Sequence, residues 1–329
     1  MNDSHEHAPG GGFTLRPFQD ADAPAVARLV TDSVRGHWTY LPERFRESAD
    51  PLRRRLVALA GPEVMATAHL LPFGDATPDA LRLDLAGDGA AFTPLYLALL
   101  ADLPPGFSRL LGVTREDFDE QMAFFGAAGF RNAWQSWGAH LELADFDFVA
   151  FQALEERLFL KGYDSNDAPD ADWEAVYALH TRGLADAPRN PTTTPEPLTQ
   201  AALREMIVRE ETVFVVRWRG EIVALTRLTP QGFEVEIENT VTHPDHRSRG
   251  LATLVKARAL AWAAGESFLK AGTGGTVLNL PMLRVNTRLG YRVERMWVTW
   301  ERELAPRATL DDPLCISVGP RLNPWICQM

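Results

Sequence analysis

The sequence is poor in cysteine: Cys315 and Cys327 are the only 2, and both lie near the C-terminus. That excludes a disulfide framework and a cysteine-based zinc ribbon. Long apolar runs are also missing, so no segment reads as a helix that spans a bilayer. Positive charge is scarce, with 33 Lys and Arg against 44 Asp and Glu, a net charge of −11. As a whole such a chain repels nucleic acid and anionic membranes, and its sign suits a cationic partner. The start, Met1 to Gly12, is polar and glycine-rich and lacks the apolar core of a secretion signal. The expectation is a soluble cytoplasmic protein with no nucleic-acid and no membrane partner. His5 and His7 read as part of a solvated tail.

What is present is an ordinary globular balance, 46% hydrophobic and 23% charged, over 329 residues. That length suggests two domains, and the chain repeats itself. Asp20-Ala21-Asp22 with Ala25-Val26 matches Asp170-Ala171-Asp172 with Ala175-Val176. Glu63-Val64-Met65-Ala66 matches Glu221-Ile222-Val223-Ala224, and Leu70 to Pro72 matches Leu228 to Pro230. Ala128-Gly129-Phe130 matches Leu289-Gly290-Tyr291, and Trp134-x-x-Trp137 matches Trp297-x-x-Trp300. The offsets grow slowly and in order, as they do for two copies of one fold. Acids at the start of each copy sit where free helical amides and the helix dipole favour negative charge.

The expected division is a tail over 1–12, a first copy over 13–147, a second over 148–305 and an extension over 306–329. Phe148 to Leu158 has helical spacing and is expected to bridge the copies. In the second copy, Thr212 to Trp218, Ile222 to Leu228 and Phe233 to Thr242 read as strands, and Leu251 to Ala264 as a helix. Phe268 to Thr276 reads as a strand running into a turn at Gly272-Thr273-Gly274-Gly275. Pro281 to Leu289 reads as a helix stopped by Gly290, and Val293 to Glu303 as the closing strand. This is an α/β architecture with a mixed sheet.

The most informative stretch is His246-Arg247-Ser248-Arg249-Gly250-Leu251-Ala252. A strand feeds a basic, glycine-containing turn, and a helix follows. The first helical amides have no internal partner and the dipole adds positive charge, so such a turn can cradle phosphate. Arg247 and Arg249 add guanidinium groups suited to phosphate oxygens. A solvated basic turn is the plainer alternative. The pattern is neither a Walker loop nor a dinucleotide fingerprint.

Arg247-x-x-Gly250-x-Ala252 resembles the [Q/R]-x-x-G-x-[G/A] signature of the GNAT (Gcn5-related) superfamily of N-acetyltransferases. Asn279-x-x-Met282 and Leu289-Gly290-Tyr291 resemble that superfamily's second motif. The match runs from about Tyr163 to Leu304; the first half joins through the repeat, as in tandem proteins of the mycothiol-synthase type. The resemblance implies an acetyl-CoA-dependent N-acyltransferase acting on a primary amine through a ternary complex. An inactive CoA-binding or sensor module of the same fold is the alternative. Acetyl-CoA would be the cosubstrate, held by Val241, Arg247, Ser248, Arg249, Gly250, Leu251, Ala252, Asn279 and Asn286. The Val241 amide would stabilise the oxyanion. The acceptor would be a small-molecule or peptide amine, and a homodimer is compatible with the sequence.

An alkylamine with a pKa of about 10.4 is neutral only about one part in a thousand at pH 7. A carboxylate base removes that obstacle. Glu234, Glu236 and Glu238 alternate along one strand and share a face unless a bulge intervenes. Glu236, eleven residues before Arg247, resembles in position the general-base glutamate of histone-type members and is the first candidate base, with Glu238 the second; facing solvent or pairing with Arg217, Arg219 and Arg227 is the structural alternative. Where many family members carry a tyrosine proton donor, this chain has Asn286, which cannot donate a proton in that sense. Tyr291 is a further candidate, more naturally read as a core aromatic. Asn279 reads equally as a helix N-cap. His243 and His246 flank Pro244-Asp245 without the further ligands a metal would need.

In the first half, Ala86 and Asp88 stand opposite Arg247 and Arg249, Gly89-x-Ala91 opposite Gly250-x-Ala252, and Phe125 opposite Asn286. This copy is expected to have lost the cofactor site. Arg182 to Leu198 reads as a stiff acceptor-side loop in which Asp186 can attract an amine.

Overall fold

In the computed structural model, residues 12–304 are described, except 37, 74–77, 104, 168–171 and 189–197, with only the backbone at 166–167. Cys315, Cys327, the tail, most of the proline-rich loop and the extension therefore lie outside the described residues.

The first copy runs β1 (Thr14–Pro17), α1 (Ala23–Ser33), β2 (Arg54–Ala60), β3 (Glu63–Pro72), β4 (Ala80–Gly87), α2 (Phe92–Ala101), β5 (Arg109–Arg115), α3 (Asp119–Ala127) and β6 (Arg131–Glu142). The linking helix α4 spans Val149–Phe159. The second copy runs β7 (Tyr163–Asp167), α5 (Trp173–Asp186), α6 (Gln200–Glu210), β8 (Thr212–Trp218), β9 (Glu221–Gln231), β10 (Glu234–Thr242), α7 (Leu251–Gly265), β11 (Lys270–Thr276), α8 (Leu280–Arg288), β12 (Arg292–Val293) and β13 (Trp297–Glu303). The repeated acids do local work at both starts. Asp22 accepts the Gln19 amide at 2.8 Å and binds Arg16, while Asp172 flanks α5 and pairs with Arg217.

All strands except β12 join one path, β1-β2-β3-β4-β5-β13-β6-β11-β10-β9-β8-β7, and β12 pairs with β6. Neither copy closes its own sheet. The second copy's last strand, β13, lies between the first copy's β5 and β6, and β6 in turn pairs with the second copy's β11. The expected closing strand at 293–303 thus breaks into β12 and β13 and crosses into the first copy. The 147/148 boundary falls just before α4, but the hydrogen bonding runs through it.

The second copy has a layer on each face. Val223, Leu228, Val235 and Ile237 pack with Leu251, Leu254, Val255 and Leu260 of α7. Val213, Val215, Leu225 and Val241 pack with Val176 and Leu179 of α5 and Leu203 and Ile207 of α6. Two local expectations change. Gly272 to Gly275 lies inside β11, not in a turn, because β6 pairs with it through Thr276. Arg182 to Asp186 is the end of α5, not loop.

Candidate active site

β10 pairs in parallel with β11 over Glu234–Ile237 against Lys270–Thr273, and the pairing stops there. β10 continues to Thr242 along β9, after a bulge between Ile237 and Asn239. β11 continues to Thr276 along β6. The two parallel strands therefore part into a cleft whose vertex is the Ile237–Thr273 pair. Residues 238–242 present an edge with no strand beside it.

The parity of that edge corrects one expectation. His243 donates its amide to Val223 O across β9 at 2.8 Å. Alternation then turns the Val241 amide toward β9 as well, and leaves those of Thr240 and Thr242 at the open edge. The Thr242 carbonyl agrees, since it points away from β9 and accepts Arg247 Nε at 3.2 Å. The Val241 side chain is buried against Gly183 on the α5 face.

At the mouth of the cleft the chain makes the basic turn. A short 3-10 segment at Pro244–His246 leads to Ser248 at φ 62° and Gly250 at φ 97°, and α7 begins at Leu251. Gly250 is required twice over. Its φ is left-handed, and an added Cβ would lie 3.0 Å from Leu154 Cδ1. Among the described residues, the amides of 248–253 donate to no protein acceptor. Leu251 is anchored in the core, whereas Ser248 is exposed and Ala252 half-buried. Arg249 is held by Tyr163 Oη at 2.5 Å and the Asp245 carbonyl at 2.8 Å, and Tyr163 Oη also meets His246 Nδ1 at 3.0 Å. Burial, then Arg249, lowers the His246 pKa. Arg247 pairs with Asp186, so this acid is engaged by the turn.

The bulge separates the glutamates. Glu238 falls on it and is exposed, while Glu236 is half-buried on the α5 face. The Glu236 carboxylate lies over Gly272, where an added Cβ would be 2.0 Å from Oε2. Burial, then the neighbouring Glu238, pushes its pKa up to about 7. The arginine alternative does not hold for Arg217 or Arg227: Arg217 pairs with Asp172, and the buried Arg227 lies 3.5 Å from Glu211.

Beneath the vertex is a residue the sequence reading passed over. Lys256 of α7 is 1% exposed, with Nζ 3.4 Å from Thr273 Oγ1 and 5.3 Å from the centre of the Tyr291 ring. Burial lowers its pKa to about 7, against the opposing effect of Glu236. Burial raises that of Tyr291 far above the usual phenol range. Asn286 is 0% exposed, and neither Oδ1 nor Nδ2 has a hydrogen-bond partner; the Tyr291 hydroxyl has none either. Asn279 caps α8, accepting the Met282 amide at 3.3 Å. In sequence Lys256 stands between Thr253 and Arg258 of α7, and nothing there singles it out.

The first half has a similar cleft, and the amides of its turn are taken. β4 and β5 pair in parallel only over Ala80–Arg82 against Arg109–Leu111. Asp88 Oδ1 accepts the Ala90 amide at 2.9 Å, and Glu120 Oε2 accepts the Gly89 amide at 3.1 Å. Two carboxylates thus occupy the amides that stand opposite those of Gly250 and Leu251. Phe125, opposite Asn286, packs on Gly112 and stacks with Trp300. A cavity of about 860 Å³ persists on the α1 side, lined by Trp38, Tyr40, Phe118 and Trp297 among others.

Among the described residues, no group of His, Cys, Asp and Glu is arranged to hold a metal, and no helix is long and apolar enough to cross a membrane.

Residues 173–291 match the profile of the Acetyltransferase (GNAT) family. The fold is similar to that of a GCN5-related N-acetyltransferase from Sphaerobacter thermophilus, at TM-score 0.60 and 15% identity over 88% of this chain and 95% of that one. It also aligns with a GCN5-related glucosamine N-acetyltransferase region of a fungal multi-domain GH3 β-N-acetylglucosaminidase, at TM-score 0.60 and 13% identity over 92% of this chain and 39% of that one. A tandem GNAT protein from the clavulanic acid biosynthesis pathway aligns at TM-score 0.53 and 19% identity, over 88% of this chain and 98% of that one. No curated protein matches the sequence. The chain is thus a tandem GNAT-fold protein. The family match itself is confined to residues 173–291, within its second half.

Proposed function

We propose that the second half transfers an acetyl group from acetyl-CoA to a primary amine within a ternary complex. The observation that carries this reading is the run of unbonded amides at 248–253, at the mouth of a cleft with Glu236 near its closed end. Those amides fit a diphosphate, helped by the start of α7. Gly250 leaves the space that a Cβ would fill. Arg247 is available as well, because its pair with Asp186 is solvent-exposed and such pairs are worth only about 0–1 kcal/mol. Thr240 and Thr242, in place of Val241, offer main-chain groups to the pantetheine arm, as an edge strand does for an added strand.

Glu236 acts as the base. With a pKa of about 7 it is half ionised at neutral pH, matched to taking a proton from an amine. Its carboxylate lies on the α5 face, whereas the anion turn opens at the N-terminus of α7. Acceptor and donor can therefore be held together, and transfer is direct. The acceptor is a small-molecule or peptide amine, in keeping with the net charge of −11.

The alternative, a CoA-binding module without turnover, is favoured by Asn286, which offers no transferable proton. CoA release measured over a panel of amines separates the two. Sustained release that falls at least about 100-fold in Glu236→Gln supports the enzyme. Tight CoA binding with no release for any amine supports the module.

A further inference from the structure

We propose that Lys256 is the proton donor to the departing CoA sulfur, an inference that rests on the acetyl-CoA reading of the cleft. The geometry begins at the vertex. Ile237 and Thr273 are the last paired residues of β10 and β11. Thr273 Oγ1 donates to Ile237 O at 3.4 Å, and Lys256 Nζ lies 3.4 Å from that same Oγ1. The ammonium is thus one hydrogen bond from the point where the strands part, which is where an arm lying along 242–238 must end.

A lysine buried only for structure needs a carboxylate at ion-pair distance. Among the described residues Lys256 has none; its contacts are the Thr273 hydroxyl and the Tyr291 ring face. The Asn286 amide and the Tyr291 hydroxyl are buried without partners. A buried site with unfilled polar groups and a perturbed cation is costly to keep unless it acts on a ligand.

The other candidates for the donor are weaker. An asparagine amide has no proton to give. The Tyr291 hydroxyl is pushed far up by burial, so it is a poor acid toward a thiolate. Lys256, lowered to about 7, is a stronger acid than either. The charged groups that bear on it are Glu236 of β10 directly, and Glu234, Glu238 and Glu294 through Glu236.

The step balances as follows. The acceptor's ammonium proton leaves through Glu236 to solvent, and the freed nitrogen then forms a bond to the thioester carbonyl carbon. Glu236 takes one N–H proton. The C–S bond breaks with its electron pair on sulfur, and the Lys256 ammonium delivers a proton there. Amide, CoA thiol, neutral Lys256 and protonated Glu236 result. The proton on Glu236 then restores the Lys256 ammonium.

The test needs no acceptor. CoA is bound to the full chain, and ionisation of its thiol is followed by the ultraviolet absorbance of the thiolate, against the desulfo-CoA complex as blank. The expected result is ionisation at least one pH unit below that of free CoA, hence about tenfold more thiolate at a given pH on the acid side. In Lys256→Met the shift disappears; Lys256→Gln serves if the methionine variant does not fold. If CoA binds with its thiol unshifted, or the shift survives in the variant, the inference is overturned while the CoA site stands. If CoA does not bind, the parent reading fails with it.

Discussion

Replacing Lys256 by methionine is expected to stabilise the protein at neutral pH. Its proton is held less tightly in the native state, at about 7, than at the ordinary lysine value of 10.5. Across that window the unfolded chain binds more protons, so wild-type stability rises with pH. At about 1.4 kcal/mol per pH unit, the displacement is worth as much as about 5 kcal/mol. Methionine keeps an unbranched chain of similar size, so packing changes little. The opposing term is the attraction of Glu236, weakened because that carboxylate is half exposed and titrates near 7. Methionine at 256 should therefore gain about 2–5 kcal/mol at pH 7, shrinking toward zero near pH 10. Guanidinium melts of both proteins at several pH values read this difference, and the other titrating groups cancel to first order. A variant less stable at pH 7, or a difference independent of pH, would refute the reasoning. The first result would mean that Lys256 is an ion-pair partner whose removal strands a buried charge.

Two further outcomes follow from the turns. Gly250→Ala must hold a left-handed φ of 97° with its Cβ 3.0 Å from Leu154 Cδ1, so it should lose about 1–2 kcal/mol in denaturant melts and weaken CoA binding. An unchanged midpoint and affinity would show that the turn is neither strained nor used. Calorimetric titration of the full chain with CoA should give one site per chain, because Asp88 and Glu120 occupy the first half's amides. Two equivalent sites would refute that occlusion.

The site was legible where it depended on residue type and illegible where it depended on parity. Gly250 and Arg247 stood out because a basic turn between a strand and a helix can cradle phosphate, and because Arg247-x-x-Gly250-x-Ala252 resembles a family signature. Glu236 stood out as one of three alternating acids, but only the bulge after Ile237 removes Glu238 from that face. Bulges leave no fixed mark in sequence. The same one-residue question moved the open-edge amides from Val241 to Thr240 and Thr242. Lys256 was hidden for another reason. α7 is buried nearly all round, between the sheet and α4, so its apolar residues form no stripe against which a lysine looks misplaced. A helix covered on both sides has no solvent face for a lysine to occupy.

The strand exchange gives the altered first half a physical role. For the second cleft to open, β10 and β11 must part after Ile237–Thr273, and each then needs another neighbour to keep its backbone groups satisfied. β10 keeps β9. β11 has, on its other side, only β6, which belongs to the first half and pairs with it from Glu142–Lys270 to Ser136–Thr276. The wall of the active cleft beyond the vertex is therefore built on a first-half strand. That strand is held in turn by β13 and, through β13, by β5. A first half whose turn amides are taken by Asp88 and Glu120 still matters to the second cleft, because without it β11 would be an edge strand and the cleft would lose its fixed side.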